Sequence, residues 1–529
     1  MRTCNPLRRE FIDHLGRRAA AIALTQLFGA ARARTAPAPS GVGVTWERDP
    51  YTLGVASGMP RPNSVVLWTR LAPQPHAPGG GLPALPIEVT WELARDDRFA
   101  RGLRTGAVTA RPEHAHSVHV EVDALDSATA YFYRFRVGDA VSPTGRTRTA
   151  PAADARVERL RIALASCQHY EQGHYTAHRE IARRDLDFVL FVGDYIYESS
   201  NPRLQLRRHE GPPPLGLDAY RARHATYKLD PDLQAAHAAH PWVLTWDDHE
   251  VENDYGGDQS PSGLTPAAFL QRRAAAYQAY FEHLPVAPSM APQAAAMRIH
   301  DRYVWGDLAE LWTLDNRQFR DPLACAPGSA PEPGPLTGCE PIGAAGRSRF
   351  GRVQEGWLSA GLAASTRRWR LLGQGSQVSP TVDPLRAPPR INLDGWDGYP
   401  AARDRLLAAI AKAGPGNVLC LGGDVHRNVA AQLRAVADDP RSPIVAGEFV
   451  CTSITSRSAA APRLERMLAA HPDIVHARGD ERGYALLEID RRQARCDFRT
   501  TPSPAADGAA LTTQARYAVD ADRPGVHAE

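Results

Sequence analysis

The sequence predicts an α/β fold: two packed sheets flanked by helices, preceded by an N-terminal Ig-like β-sandwich domain. Three observations lead there. Residues 44–150 fall into short strand-like runs divided by Gly, Pro and Asp turns, the last two alternating as half-exposed antiparallel strands do. From Arg161 the texture changes to strand, helix, strand. Three acidic segments then each leave an apolar run: Gly193-Asp194-Tyr195-Ile196-Tyr197-Glu198 after Phe188 to Val192, Asp247-Asp248-His249-Glu250 after Trp242 to Leu244, and Gly423-Asp424-Val425-His426 after Val418 to Leu421. A short continuous apolar run ending at Gly or Asp reads as a parallel strand covered on both faces, and open α/β sheets bind ligands at the carboxyl ends of such strands.

At 529 residues the chain has room for about two to four domains. Residues 1–36 read as a twin-arginine export signal: Arg8-Arg9, a weakly apolar stretch from Ala19 to Gly29 interrupted by Thr25 and Gln26, then the small-x-small site Ala31-Arg32-Ala33. The alternative is an amphipathic surface helix. An export signal implies a periplasmic or secreted protein with the twin-arginine export machinery as a partner, delivered folded and able to load metal first. Its removal takes away seven Arg and two acids, turning a net charge of +3 into −2. Of 62 basic residues only Lys228 and Lys412 are lysine, and the arginines are dispersed among 59 acids, so no nucleic-acid-binding surface is evident. No other segment approaches the roughly 18 apolar residues of a membrane span.

Within residues 44–150, Ser64 to Trp68, Ile87 to Trp91, Val118 to Val122 and Tyr131 to Val137 read as the strands of the sandwich, with Ala150 to Asp154 as linker. Residues 158–500 form the second domain. Its expected elements are the strand Arg161 to Ala165, helices at His174 to Asp185, Tyr220 to Ala239, Pro266 to Phe281 and Ala401 to Ala413, a hairpin across Gly306-Asp307, and a closing hairpin from Gly483 to Arg499. Residues 501–529 are left as a C-terminal tail, a lid or a loose end. Cys325 and Cys339 bracket a Pro/Gly/Ala loop that suits a disulfide in an exported protein; Cys420, Cys451 and Cys496 lie in strand-like runs and read as buried small hydrophobes.

The side chains at the strand ends form a donor set. Asp194 and Tyr197 stand three apart on one loop, and a phenolate favours a hard trivalent ion such as Fe³⁺. His426 adds an imidazole and Cys167 a thiolate, a mixed transition-metal set. Asp248, Asp424, the Asn253 amide and a shared oxygen of Asp194 form an all-oxygen set suited to Ca²⁺, with Mg²⁺ or Mn²⁺ as alternatives. Singly, each residue has an ordinary explanation: Asp194 in a turn, Tyr197 at a core edge, His249 solvated among acids, Cys167 an inert thiol. Their joint occurrence at four strand ends favours a metal site. His169, His174 and His178 read as helix-surface or supporting residues.

These segments resemble the alkaline phosphatase D (PhoD) family of calcineurin-like and purple-acid-phosphatase-like metallophosphoesterases. The likeness runs from about Pro50 to Arg499 and includes Asp49 to Gly58, Val65 to Leu71, Ser166-Cys167-Gln168, Trp246 to Asn253, Leu314 to Arg320 and Trp396 to Pro400. It implies a metallophosphoesterase two-sheet sandwich and a small phosphate mono- or diester as substrate. It also implies Fe³⁺ on Cys167, Asp194, Tyr197 and His426, and Ca²⁺ on Asp194, Asp248 and Asp424, with Asn253 added. Met59, Asp254 and Cys451 depart from its pattern. The expected mechanism has a metal-held hydroxide attacking in line, since a bound metal lowers the pKa of water from about 15.7 toward neutrality. Arg317 would grip the phosphoryl oxygens, unless it pairs with Asp315. His249 would bond the phosphate or protonate the leaving oxygen. Two rival diesterases, phospholipase D-like and teichoic-acid-cleaving, fit the same scaffold. A Ca²⁺-dependent binding protein fits the sandwich but not the Tyr, Cys and His donors.

Overall fold

A computed structural model of the chain describes residues 45–201, 205–324, 340–382, 391–414, 417–437, 439–458 and 461–529. The expected signal at 1–36 and the Cys325–Cys339 pair lie outside the described residues.

A ten-stranded mixed sheet is organised around three parallel strands, Arg159–Ala165, Phe188–Val192 and Pro241–Thr245. On one side the hairpin Arg482–Asp490 and Gln493–Thr501 pairs antiparallel to Arg159–Ala165. On the other, Val55–Gly58 runs parallel to Pro241–Thr245 and leads to Val65–Arg70 and Ser117–Val122. The second, seven-stranded sheet has its own parallel centre: Ala309–Thr313, Trp369–Gly373, Val418–Gly422 and Ile444–Val450. Both sheets contribute to one apolar core, with Leu164, Val189 and Phe191 from the first and Leu371, Leu419 and Leu421 from the second. The neighbouring Leu372, Val418 and Cys420 face a different core, beneath the helices Arg352–Ala364 and Pro400–Lys412. Burial on both faces is why Val418 to Leu421 reads as an unbroken apolar run.

The structure corrects three expectations. The N-terminal region packs two sheets face to face, Val55, Val65, Leu67 and Val118 against Val89, Leu93, Tyr133 and Phe135, but it is not self-contained. Its sheet of Ile87–Ala94, Arg104–Ala110, Ala130–Val137, Ala140–Val141 and Gly145–Arg148 is separate, but Val55–Gly58, Val65–Arg70 and Ser117–Val122 belong to the ten-stranded sheet. Alternation shows that a strand has two different faces; it does not show which sheet completes its edge. Nor are residues 501–529 a tail. Thr512–Asp520 and Arg523–Ala528 extend the same sheet, seating Val519 and Val526 in the core. Thirdly, the helix expected from Tyr220 to Ala239 is two, Leu217–Lys228 and Pro231–Ala239. Pro231 opens the second, and Asp230 caps it by accepting from the Asp232 and Leu233 amides.

Gly58 shows how closely the N-terminal strand is held. A Cβ there would lie 2.2 Å from the Pro285 carbonyl oxygen and 2.9 Å from that of Trp242. Both contacts are backbone and cannot rotate away. G58A is expected to destabilise the fold by about 1–3 kcal/mol, read as a lower urea midpoint with the slope unchanged.

Candidate metal centre

The parallel strands of both sheets end at one edge, so the chain delivers its polar loops to one place. Close approach there depends on two glycines. A Cβ on Gly193 (φ +109°) would lie 2.5 Å from the Asp247 amide nitrogen, and one on Gly423 would lie 2.4 Å from Ser166 Oγ. The residues that follow are strained. Cys167, Asp194, Asp424 and His426 have φ of 59°, 57°, 65° and 52°, a left-handed region that non-glycine residues rarely enter. Such strain gathers where the surroundings dictate a side chain's direction.

Cys167, Asp194 and His426 each offer a ligand atom, all within 4.8 Å of one another. The Tyr197 hydroxyl joins them, donating to Asp194 Oδ2 at 2.8 Å and lying 3.1 Å from His426 Nε2. His426 Nδ1 donates to the Arg457 carbonyl at 2.6 Å, which turns Nε2 and its lone pair inward. Asp194 also belongs to a second group with Asp248 and His249, and Asp248 to a third with Asp254 and Asp394. Asp424 lies outside these groups, within electrostatic reach of the Asp247, Asp394 and Asp248 carboxylates. The half-buried Asn253 donates its backbone N–H to Glu198 Oε1 at 3.0 Å, while its side chain makes no hydrogen bond among the described residues.

This donor set fits cations. Asp194 Oδ1, Asp247 Oδ2 and Asp248 Oδ1 are buried acceptors without a hydrogen-bond partner among the described residues. Burial, then the Asp248, Asp247 and Glu250 carboxylates against an opposing His249, pushes the Asp194 carboxyl well up. Asp424 and Asp254 are raised in the same way, by desolvation first and neighbouring acids next. Burial and Asp194 likewise raise the Cys167 thiol and the Tyr197 phenol. A cation held by these residues would outweigh that repulsion and favour their charged forms.

The geometry corrects the expectation for Arg317. Its side chain is fully buried. Nε donates to Asp247, Nη1 and Nη2 donate to Asp394 at 2.6 and 2.9 Å, and Nη2 lies 3.6 Å from Asp248. Asp315 instead accepts the Arg317 amide. A guanidinium committed to three carboxylates cannot also grip a phosphate. Asp394 also accepts from Arg320 at 2.7 Å. Burial opposes its ionisation, but Arg317, Arg320 and Arg349 outweigh it and hold the carboxyl well below the usual range.

His249 Nδ1 meets Glu198 Oε2 at 2.7 Å, and its ring packs 4.0 Å from that of Tyr197. Burial would lower its pKa; the Glu198, Asp248 and Asp194 carboxylates raise it well above 6.5. His169 packs on Tyr197 at 4.5 Å, so it belongs to the site wall and not to a helix surface. His178 is buried, bonding Gln168 Oε1 at 2.7 Å. Sequence reasoning missed Glu198, Asp394 and Ser456, whose Oγ lies 2.8 Å from the Tyr197 hydroxyl. Glu198 sits one residue beyond Tyr197 and could have been flagged. Asp394 and Ser456 come from loops with no strand-end signal.

Comparison with known proteins places the chain in a family. Residues 162–498 match the family model for PhoD-like phosphatase, and residues 35–151 match its N-terminal domain. The chain belongs to the PhoD-like phosphatase family. It is 40% identical to alkaline phosphatase D of Bacillus subtilis (strain 168), over 98% of this chain and 88% of that protein. A solved structure of PhoD, also 40% identical, superposes with a TM-score of 0.87 across 92% of this chain and 93% of its own. In this PhoD-like chain the ten-stranded sheet continues past the end of the family match, to Ala528.

Proposed function

We propose that the strand-end cluster is a two-metal centre that hydrolyses phosphate esters. The enzyme is a phosphatase hydrolase of the PhoD-like family, and the candidate ligand groups agree with metal dependence. We assign Fe³⁺ to Cys167, Asp194, Tyr197 and His426, and Ca²⁺, with Mg²⁺ or Mn²⁺ as substitutes, to Asp194, Asp248, Asp424 and Asn253. The observation that carries the reading is the Tyr197 hydroxyl within hydrogen-bond distance of both Asp194 and His426, residues from different sheets. Bound there, the cations supply charge neutralisation and an activated water. The chain's own residues do the rest. Glu198 orients His249 through Nδ1, leaving Nε2 to hand a proton to the leaving oxygen. Arg317 fixes Asp247 and Asp394 beneath the cluster.

We read the two large sheets as the metallophosphoesterase sandwich, residues 44–150 as an N-terminal domain that shares a sheet with it, and residues 1–36 as the signal for twin-arginine export and phosphate scavenging outside the cytoplasm. No helix among the described residues is long and apolar enough to cross a membrane. The reading is tested by metal analysis together with hydrolysis of 4-nitrophenyl phosphate and bis(4-nitrophenyl) phosphate, with and without a calcium chelator. Iron plus calcium and chelator-sensitive turnover are expected. Calcium alone without turnover would leave a binding protein. H249N is expected to keep both metals and lose about 10²- to 10⁴-fold in kcat; loss of iron in that variant would show that His249 belongs to the ligand set.

A further inference from the structure

With Arg317 committed to carboxylates, a guanidinium that meets the phosphate would have to come from elsewhere. Beyond the strand Ile444–Val450 the chain runs as an arc along the Cys167–His426 side of the cluster. Hydrogen bonds fix this arc almost residue by residue. The Ile454 amide donates to the Ser166 carbonyl at 3.0 Å, and Ser456 Oγ lies 2.8 Å from both the Cys167 carbonyl and the Tyr197 hydroxyl. The Arg457 amide then donates to Gln172 Oε1 at 2.8 Å, and its carbonyl accepts from His426 Nδ1 at 2.6 Å. Arg457 is thus anchored through its backbone to a candidate metal ligand. Its side chain is exposed, and its guanidinium makes no hydrogen bond or ion pair among the described residues. The buried Arg482 lies within electrostatic reach of Cys167, His426 and Arg457 alike. Burial first, and Arg457 against an opposing Asp480, hold Arg482 down to about 10. Backbone contacts with His426 and Gln172 place Arg457 on the same side of the cluster.

We propose that Arg457 holds the substrate phosphate at the mouth of the site and biases the enzyme toward phosphate monoesters. The assignment rests on reading the cluster as a phosphate-ester hydrolase centre. A monoester dianion presents three terminal oxygens, whereas a diester monoanion presents two. A guanidinium offers paired N–H donors that match phosphate oxygens, so it adds most to the ligand with more charge and an oxygen to spare.

The test compares metal-loaded wild type, R457A and R457K on 4-nitrophenyl phosphate and bis(4-nitrophenyl) phosphate. Metal content and calorimetric binding of inorganic phosphate are measured alongside. R457A is expected to raise KM for the monoester about 10- to 100-fold and to weaken phosphate binding in proportion. Its kcat and its diester kinetics should move by less than about threefold, and R457K should recover part of the loss. An unchanged monoester KM, equal losses on both esters, or loss of metal from R457A would overturn the assignment. Wild type that binds phosphate yet turns over neither ester would instead remove the hydrolase reading, and the phosphate titration of R457A would still decide the role of Arg457.

Discussion

Asp194→Asn is expected to abolish metal loading and to lower turnover by at least about three orders of magnitude, while leaving the metal-free fold intact or firmer. The two halves of that result have one cause. Asp194 is the member common to the Cys167–His426 and Asp248–His249 groups, so it is the residue through which both candidate sites are joined. In metal-free protein burial first, and then repulsion from Asp248, Asp247 and Glu250, raise its carboxyl pKa well above the ordinary range. A neutral amide of the same shape relieves that repulsion without opening a cavity. The measurement is paired: thermal unfolding before and after loading, and metal content by elemental analysis. Wild type should gain stability on loading, because a ligand that binds only the folded state stabilises it. The variant should not. An Asp194→Asn protein that retains one metal and shifts normally on loading would show that the two sites do not share this residue.

Acid should unfold the protein well before its carboxylates would ordinarily be lost. Six histidines away from the proposed ligands are buried and held neutral, each chiefly by desolvation: His119 and His240 down to about 4, His178 and His224 to about 3, and His237 and His283 well below their usual range. The unfolded chain takes up these protons near pH 6.5 and the folded chain does not. Their contribution is therefore complete above about pH 6.5 and is lost as pH falls toward the folded values, at about 1.4 kcal/mol per unit for each group. Even half of that, over six groups, exhausts a stability of about 5–15 kcal/mol within a few pH units. The raised carboxyls of Asp194, Asp254 and Asp424 work in the opposite sense in metal-free protein, so variants must be compared at equal metal loading. Urea midpoints measured from pH 7.5 to 4.5 should fall steeply below 6.5. His224 offers the sharpest control, since neither of its ring nitrogens has a hydrogen-bond partner among the described residues and it packs 5.0 Å from His283. H224F should flatten the acid limb, and a wild-type midpoint that holds steady to pH 4.5 would end the explanation.

What could be read in advance follows from what periodicity encodes. Phe188–Val192, Pro241–Thr245 and Val418–Gly422 announce themselves because a strand buried on both faces needs an unbroken apolar run, and each ends in a polar residue whose position the run dictates. Tyr197 and His426 followed from donor chemistry. Partnership was far less legible. Nothing local to Val55–Gly58 says that it pairs with residues nearly two hundred positions away, and Thr512–Asp520 carries too many polar residues to read as a strand. Arg317 failed for a related reason: its motif shows a cation near the site, while its direction depends on Asp394, which arrives from a distant loop.

The ten-stranded sheet takes strands far apart in sequence, residues 55–58 near one flank, whose edge is Ser117–Val122, and residues 523–528 at the other edge. Native structure therefore cannot be completed before Arg523–Ala528 has been made. Val55–Gly58 keeps one hydrogen-bonding edge bare until Pro241–Thr245 has been made, and Gln493–Thr501 keeps one until Thr512–Asp520 follows. Long-range closure of this kind is slow and leaves nascent chains open to aggregation. A chain cut before Thr512 would thus be unable to finish its sheet, not merely a shortened enzyme.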